Sequence, residues 1–189
     1  MHNSNNDVFI IETNRLIIRE FNESDLNELY TFTRQNDFMI HFSKKEDLKR
    51  YNKYLKEKHN QFKPDDTRFV VGLFQKDTAK LVGWSAIIAN PEIKSTQRER
   101  MDFISKDQRN KGYVTEANKA IYDYVFNKSN HHEIVTIAYL ANPYYELVVK
   151  MMKKNGYVPT HSKKLRNNLK CNYFILTKER YMNREKNVL

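Results

Sequence analysis

The sequence predicts one α/β domain with a mixed central β-sheet of six to seven strands flanked by about four helices. Runs rich in β-branched residues alternate with segments of helical periodicity, in the order β, α, α, β, β, β, α, β, α, β. No internal repeat or low-complexity linker interrupts this alternation. The length of 189 residues allows a substantial core but leaves little room for two independent domains.

The first half of the chain opens with a strand over residues 15–21. Asn22 then caps a first helix together with Asp25, and a second capping box at Ser43 opens a longer helix that reaches Phe62.

Three strands follow these helices. Residues 68–74 and 80–89 flank the polar segment 75–79, and this spacing and turn chemistry are typical of a β-hairpin. After a polar loop, residues 98–105 give the next strand.

The second half repeats the alternation. A helix begins at Val114, residues 133–140 form a strand, and residues 172–176 form the last one. Between these two strands, an apolar stripe at helical spacing predicts an amphipathic helix that ends at Asn155-Gly156. We interpret the stripe as core packing; its members are Tyr144, Leu147, Val148, Met151 and Met152.

Composition limits the classes of partner. The net charge is +10, but the basic residues are scattered and no nucleic-acid-binding motif accompanies them, so we do not expect a nucleic-acid partner. The single Cys171 excludes an intramolecular disulfide and is expected to be an inert, buried thiol. The first residues lack the pattern of a signal peptide and no apolar run is long enough for a membrane span, which favours the cytoplasm.

The segment from Asp107 to Ala117 is the strongest candidate for a binding site. It follows a strand and opens directly into a helix, whose first N–H groups lack intrahelical partners and attract anions. Gly112 allows a phosphate to approach the backbone closely. The segment is therefore either a phosphate-binding loop or an ordinary strand-to-helix turn with a solvated Arg109 and Lys111.

Four segments in chain order connect this loop to a known family. They are Thr13-Asn14-Arg15-Leu16-Ile17-Ile18-Arg19, Leu81-Val82-Gly83-Trp84, Arg109-Asn110-Lys111-Gly112-Tyr113-Val114-Thr115-Glu116-Ala117 and Lys153-Lys154-Asn155-Gly156-Tyr157. Together they resemble the GNAT acetyltransferases, in particular the branch of the RimJ and RimL type ribosomal-protein N-acetyltransferases. The resemblance implies a GNAT domain over residues 13–178, with an N-terminal tail at 1–12 and a C-terminal tail at 179–189.

The resemblance also implies a reaction. It implies direct transfer of an acetyl group from acetyl-CoA to a primary amine, on a protein N-terminus or a small molecule, without a metal. The protein would act as a monomer or a homodimer. The residues expected to bind the cofactor are Phe103, Ile104, Arg109, Asn110, Lys111, Gly112, Tyr113, Val114 and Thr115.

Catalytic candidates follow from the chemistry of amine acetylation. An alkyl ammonium has a pKa of about 10, so a base must remove its proton near neutral pH. Glu99 is the expected base and Asp102 the reserve, the alternative for Glu99 being an exposed strand carboxylate paired with Arg98 or Arg100. Tyr144 or Tyr145 would protonate the departing thiolate.

A strand that is splayed from its neighbour leaves backbone donors free. By resemblance, the N–H groups of Phe103 and Ile104 would therefore stabilise the oxyanion.

Departures from the family pattern leave other functions open. Val114 stands where relatives have Gly or Ala, Asn110 where close relatives have Gly, and Tyr145 and Val148 where relatives often have Asn and Ser. A non-catalytic acyl-CoA-binding module and an RNA-associated basic domain are the alternatives. The pair His131-His132 lacks partners at zinc-ligand spacing, so a surface role is expected for it.

Overall fold

The computed structural model describes residues 10–33, 69–128, 130–164 and 169–186. Their strands form one sheet of eight, in the spatial order β1-β2-β3-β4-β5-β6-β8-β7. The strands are β1 (Ile10–Glu12), β2 (Leu16–Glu20), β3 (Phe69–Gln75), β4 (Leu81–Ile88), β5 (Arg98–Ile104), β6 (Glu133–Tyr139), β7 (Val158–Lys164) and β8 (Lys170–Thr177).

One pairing in this sheet is parallel. Strands β5 and β6 run in the same direction, whereas all other neighbouring strands are antiparallel. The parallel ladder pairs only Arg98 with Ile134 and Glu99 with Val135. The two strands therefore separate beyond Glu99, and the second half of β5 has a strand partner on one side only, in β4.

Four α-helices are present in the described residues: α1 (Leu26–Thr33), α2 (Tyr113–Lys128), α3 (Tyr145–Lys154) and α4 (Lys178–Lys186). The predicted cap of α1 is confirmed, with a single 3-10 turn between cap and helix. The Asn22 side chain accepts a hydrogen bond from the Asp25 N–H at 3.1 Å, and the Asp25 carboxylate accepts one from the Asn22 N–H at 2.8 Å. Gly156 ends α3 with a φ of 86°, a conformation that favours glycine. None of the helices in the described ranges is long and apolar enough to cross a bilayer.

The main core lies between the sheet and helices α2 and α4. Helix α2 buries one apolar side, which includes Ala117, Ile121 and Val125, against strand residues such as Leu16 and Ile134. A second cluster on the other face of the sheet contains Trp84, which stacks on Phe103 with ring centroids 6.5 Å apart. Trp84 is thus a packing residue.

A buried polar network fixes α2 on the sheet. The Arg100 side chain is fully buried and its guanidinium donates two hydrogen bonds to Asp102, at 3.1 and 2.7 Å, and one to the Asn118 amide oxygen. The same guanidinium lies 4.8 Å from the centre of the Tyr122 ring. The Tyr122 hydroxyl is 2.9 Å from that of Tyr157, so the network joins β5, α2 and the segment before β7.

The fold confirms the predicted α/β class and the hairpin around residues 75–79, but the strand count of six to seven is too low. Strand β1 has only three residues, and β7 reads VPTHSKK, so its proline and polar residues hide an edge strand. The predicted helix from Ser43 to Phe62 lies outside the described residues. Strand β1 lies before the predicted domain start at residue 13, and α4 continues past the predicted end at residue 178. The domain boundaries themselves stay a prediction.

The Arg100 network leads to a stability prediction. We expect Arg100→Met to lower the free energy of unfolding by about 3 kcal/mol, because it leaves the mostly buried Asp102 carboxylate without its cation. Urea unfolding measures the loss. The control is Lys119→Met, which removes an exposed pair with Asp123 and should change stability by less than about 0.5 kcal/mol. Equal effects of the two changes would contradict the role given to Arg100.

Candidate active site

The separation of β5 from β6 directs backbone donors into the gap between them. Hydrogen bonds alternate along an antiparallel pair, and the Ser105 N–H donates to the Val82 carbonyl at 2.9 Å on the β4 side. The alternation therefore directs the N–H groups of Asp102 and Ile104 away from β4, and that of Phe103 toward β4. Of the two predicted oxyanion donors, Ile104 faces the gap.

The predicted phosphate loop follows directly. A 3-10 turn (Lys106–Gln108) leads from β5 to Arg109, and α2 begins at Tyr113. Asn110 and Gly112 both have positive φ, 62° and 82°, a backbone conformation that occurs in anion-binding turns. A Cβ on Gly112 would lie 3.3 Å from the Arg15 guanidinium. The loop and the start of α2 thus have the local geometry of an anion-binding turn.

Side-chain contacts of Asp107 and Lys111 stabilise the predicted phosphate loop. Asp107 accepts hydrogen bonds from the Ser105 hydroxyl at 2.8 Å and the Gln108 amide at 2.7 Å, and pairs with Lys80 at 3.3 Å. The bonds from Ser105 and Gln108 lower the pKa of this carboxyl to about 2. Lys111 donates to the Gln108 side chain at 3.0 Å, so its ammonium contacts the loop itself.

Glu116, in the first turn of α2, ties the loop to the start of β2. Its carboxylate accepts hydrogen bonds from the Thr13 hydroxyl at 2.6 Å and from the Arg15 backbone N–H and Nε, both at 2.7 Å. Arg15 also donates to the Lys111 carbonyl at 2.8 Å. Burial alone would raise the pKa of Glu116, but these bonds outweigh it and lower the pKa below 4.5.

A cleft of about 440 Å³ lies between the splayed end of β5, the loop and helix α3. This volume is within the usual range for small-molecule sites. The residues that line it are Asp102, Phe103, Ile104, Gln108, Arg109, Asn110, Gly112, Tyr113, Val114, Thr115, Asn142, Tyr144, Leu147, Val148 and Met151.

The core-packing interpretation of the α3 stripe holds for Met152 and for Val148, which packs against the main core. It is wrong for Tyr144, Leu147 and Met151, which line the cleft. Only Met152 is buried, whereas Leu147 is 56% exposed and Tyr144 41% exposed. A stripe at helical spacing shows that one side of a helix is apolar, but not whether protein or a ligand covers that side.

Glu99 lies at the point where β5 and β6 separate, on the face opposite α2. Its side chain is buried, with a relative exposure of 6%, and its carboxylate accepts a hydrogen bond from the Asn90 side chain at 2.6 Å. Burial raises its pKa to about 7, although the bond from Asn90 lowers it. Glu99 is therefore not an exposed carboxylate paired with Arg98 or Arg100.

Asp102, the reserve base, lies on the α2 side of β5. The guanidinium of Arg100 holds both of its carboxylate oxygens, and the Ser85 hydroxyl donates to Oδ1 at 2.8 Å. Both carboxylate oxygens of Asp102 are thus engaged in contacts within the protein. Glu99 and Asp102 thus have opposite environments on one strand.

The two tyrosines predicted to act as acids, Tyr144 and Tyr145, have different surroundings in the structure. Tyr144 lines the cleft, with the Arg109 guanidinium 5.0 Å from its ring centre. The Tyr145 hydroxyl accepts a hydrogen bond from the Asn172 side chain at 2.5 Å and is not part of the cleft lining.

Most of the predicted cofactor residues meet in the cleft. Lys111 does not line it, and Glu99 lies outside it. Sequence reasoning missed Gln108, Asn142, Leu147 and Met151 as lining residues. The spacing of Leu147 and Met151 is a usable signal, since both follow Tyr144 on one side of α3, and Gln108 lies within the predicted binding segment from Asp107 to Ala117.

Other candidates contribute little. Within the described ranges, no group of three or more His, Cys, Asp or Glu side chains could hold a metal ion. Cys171 is fully buried and its thiol donates to the Lys163 carbonyl at 3.3 Å. His132 is exposed and His131 half-buried at the start of β6.

Comparison with known families identifies the family to which the chain belongs. The sequence profile of the acetyltransferase (GNAT) domain matches residues 15–158, most of the chain. The chain belongs to the GNAT acetyltransferase family. This membership makes it an acyltransferase, and GNAT acetyltransferases use acetyl-CoA. Among curated proteins, none matches the sequence significantly.

Solved structures share the fold at low identity. An acetyltransferase (GNAT family) from Bacillus anthracis is 21% identical, with a TM-score of 0.69 over 90% of this chain and 99% of that one. A candidate ribosomal-protein-serine acetyltransferase from Vibrio cholerae is 19% identical, with a TM-score of 0.68 over 89% and 97%. A spermidine N-acetyltransferase from Vibrio cholerae, in complex with CoA and spermine, is 17% identical, with a TM-score of 0.66 over 89% and 98%.

The Glu116 contacts lead to a pH-dependent prediction. We expect Glu116→Gln to lower the free energy of unfolding by about 1 kcal/mol at neutral pH, because it removes the charge that binds Arg15. The folded-state pKa is below 4.5, so the contribution is complete above 4.5 and is lost as the pH falls through the folded-state value. The difference between the two proteins should therefore narrow below pH 4.5.

Urea unfolding at several pH values measures this difference. Glu146→Gln is the matched control, because Glu146 is an exposed acid in the first turn of α3 and should give a smaller loss. A Glu116→Gln loss that is independent of pH would rule out the ionic contact as its cause.

Proposed function

We propose that this chain transfers an acetyl group from acetyl-CoA to a primary amine by direct transfer. The observation that carries the proposal is the parting of β5 and β6 into a cleft that ends at the loop with two positive-φ residues. A thioester cosubstrate has both an anionic and an apolar part, and the cleft has a matching side for each.

The loop is the proposed site of the CoA pyrophosphate. Backbone N–H groups from Asn110 to Thr115 and the positive end of α2 would bind it, with Arg109 adding charge. The side chain of Val114 is larger than the Gly or Ala of relatives, but its backbone N–H can still donate to the pyrophosphate. The pantetheine arm would follow the exposed apolar side of α3, where Leu147 and Met151 line the cleft.

The proposed chemistry uses groups on both sides of β5. The amine nitrogen attacks the thioester carbonyl carbon, the Ile104 N–H donates to the developing oxyanion, and the carbon–sulfur bond then breaks. Glu99 takes the proton that the amine loses. The departing thiolate receives a proton from the Tyr144 phenol, whose side chain lines the cleft. Tyr145 contacts Asn172 instead, so Tyr144 is the better candidate of the two.

Glu99 suits the role of base because of its surroundings. A carboxyl with a pKa of about 7 is partly ionised at neutral pH and is a stronger base than an exposed one. Its position at the last shared pair of β5 and β6 would bring it near a thioester that lies between the strands.

The acceptor is proposed only as a class. A protein N-terminus and a small-molecule amine both fit, and the solved relatives include a candidate for the first and a spermidine acetyltransferase for the second. We assign the chain to the RimJ and RimL type branch on its sequence segments, which favours a protein N-terminus.

A non-catalytic acyl-CoA-binding module is the second candidate function. Tyr145 and Val148 replace the polar residues that relatives often have on this helix, and Val148 lines the cleft. Such a module would bind acetyl-CoA without turnover.

Thiol release from acetyl-CoA, measured across peptide N-termini, polyamines and aminoglycosides, tests the proposed function. We expect release with at least one class of amine and a rise in melting temperature with acetyl-CoA alone. A thermal shift without release across the panel would favour the binding module. If neither occurs, both candidates are wrong.

Replacing the base tests the assignment of Glu99. We expect Glu99→Gln to lower kcat by about 10²- to 10⁴-fold at neutral pH, because no group then removes the amine proton. The acetyl-CoA dissociation constant should stay the same, since Glu99 lies outside the cleft lining. In the wild type, kcat/KM should rise with pH through a value of about 7, because the ionised carboxylate is the active form.

The matched control is Glu179→Gln, an exposed carboxylate on α4. It should leave both constants unchanged. Full activity in Glu99→Gln would exclude Glu99 as the base.

A further inference from the structure

The side chain that contacts Glu99 comes from the loop between β4 and β5. Asn90 lies two residues beyond the end of β4, and its Nδ2 donates to Glu99 Oε2 at 2.6 Å. In the described part of the chain, this is the hydrogen bond that the Glu99 carboxyl group accepts.

The orientation of the Asn90 amide follows from its other contact. Asn90 Oδ1 accepts the backbone N–H of Glu92 at 2.7 Å, and the Asn90 carbonyl accepts that of Ile93 at 3.2 Å. An amide oxygen occupied by a backbone N–H leaves the NH₂ group to face Glu99. Asn90 can therefore only donate to Glu99, and a donor favours the ionised carboxylate.

Among the described residues, the other groups that act on the pKa of Glu99 supply no counter-charge. The titratable groups that face it are Tyr139 from β6 and Cys171 and Tyr173 from β8. Burial raises the pKa of all three, so they are neutral near pH 7. On the same loop, Glu92 is paired with Lys163 at 2.6 Å.

We propose that Asn90 is a positioning residue that orients the Glu99 carboxyl group and keeps it in the form that accepts a proton. This inference rests on the proposed function, in which Glu99 is the base. Asn90 does not touch the reacting atoms; it acts through Glu99, with its own side chain fixed by the turn that it forms with Glu92.

The test compares pH profiles of kcat/KM for the wild type and Asn90→Ala. Without the donor, burial acts unopposed and the pKa of Glu99 rises above 7. The base must be ionised, so the acidic limb of the profile should move to higher pH by about one unit. At pH values above the shifted limb, most of the activity should return.

Asn90→Ser distinguishes the effect of the hydrogen bond to Glu99 from the effect of the turn with Glu92. A serine hydroxyl can accept the Glu92 N–H and preserve the turn, but it is too short to donate to Glu99 as well. It should shift the limb like Asn90→Ala. The matched control is Asn22→Ala, which removes the same kind of side-chain turn at the start of α1 and should leave the limb in place.

Carboxyl ¹³C NMR titration gives a readout that needs no acceptor substrate. The resonance that disappears in Glu99→Gln identifies Glu99, and its midpoint should rise by about one pH unit in both Asn90 variants. An unchanged midpoint in both would overturn the role of Asn90, whatever the enzyme acetylates. Absence of thiol release by the wild type would instead count against the proposed function, so the two failures are distinguishable.

Discussion

The parallel pairing of β5 and β6, which ends after Glu99, is the constraint on which the rest of the site depends. Beyond that point no described strand pairs with this edge of β5. Its backbone donors therefore face the gap between β5 and β6. The loop that follows β5 then reaches the start of α2 at the end of the opening. One interrupted ladder thus places the proposed oxyanion donor and the proposed base on a single strand, with the proposed phosphate loop directly after it.

Two carboxylates on the same strand, Glu99 and Asp102, have different surroundings. Glu99 is buried among neutral groups with one amide donor, so its pKa is raised to about 7. Asp102, three residues later, lies on the other face, where the buried Arg100 binds both of its oxygens. Alternation along a β-strand is sufficient for this separation, because neighbouring faces of the sheet meet different layers of the protein.

Features that depend on local periodicity were predictable from the sequence: the cap at Asn22, the hairpin and the helix after the loop. Those that depend on distant contacts were not. Strand β7 is polar because it lies at the edge of the sheet, and its strand character comes from pairing with β8. The apolar stripe of α3 was predictable, but its position along the cleft was not, because periodicity does not identify what covers an apolar side. Likewise, nothing near Arg100 in the sequence indicates that Asn118 and Tyr122 enclose it.

The contact between Glu116 and the start of β2 has a consequence for the order of folding. Thr13 and Glu116 are 103 positions apart, and the four described strands β2 to β5 lie between them in the sequence. During synthesis from the N-terminus, β2 must wait for more than half of the chain before the carboxylate that holds it appears. Contacts between residues that are far apart in the sequence also slow the folding of a domain. The loop before α2 therefore cannot be tied to the start of β2 until the chain has been synthesised beyond Glu116.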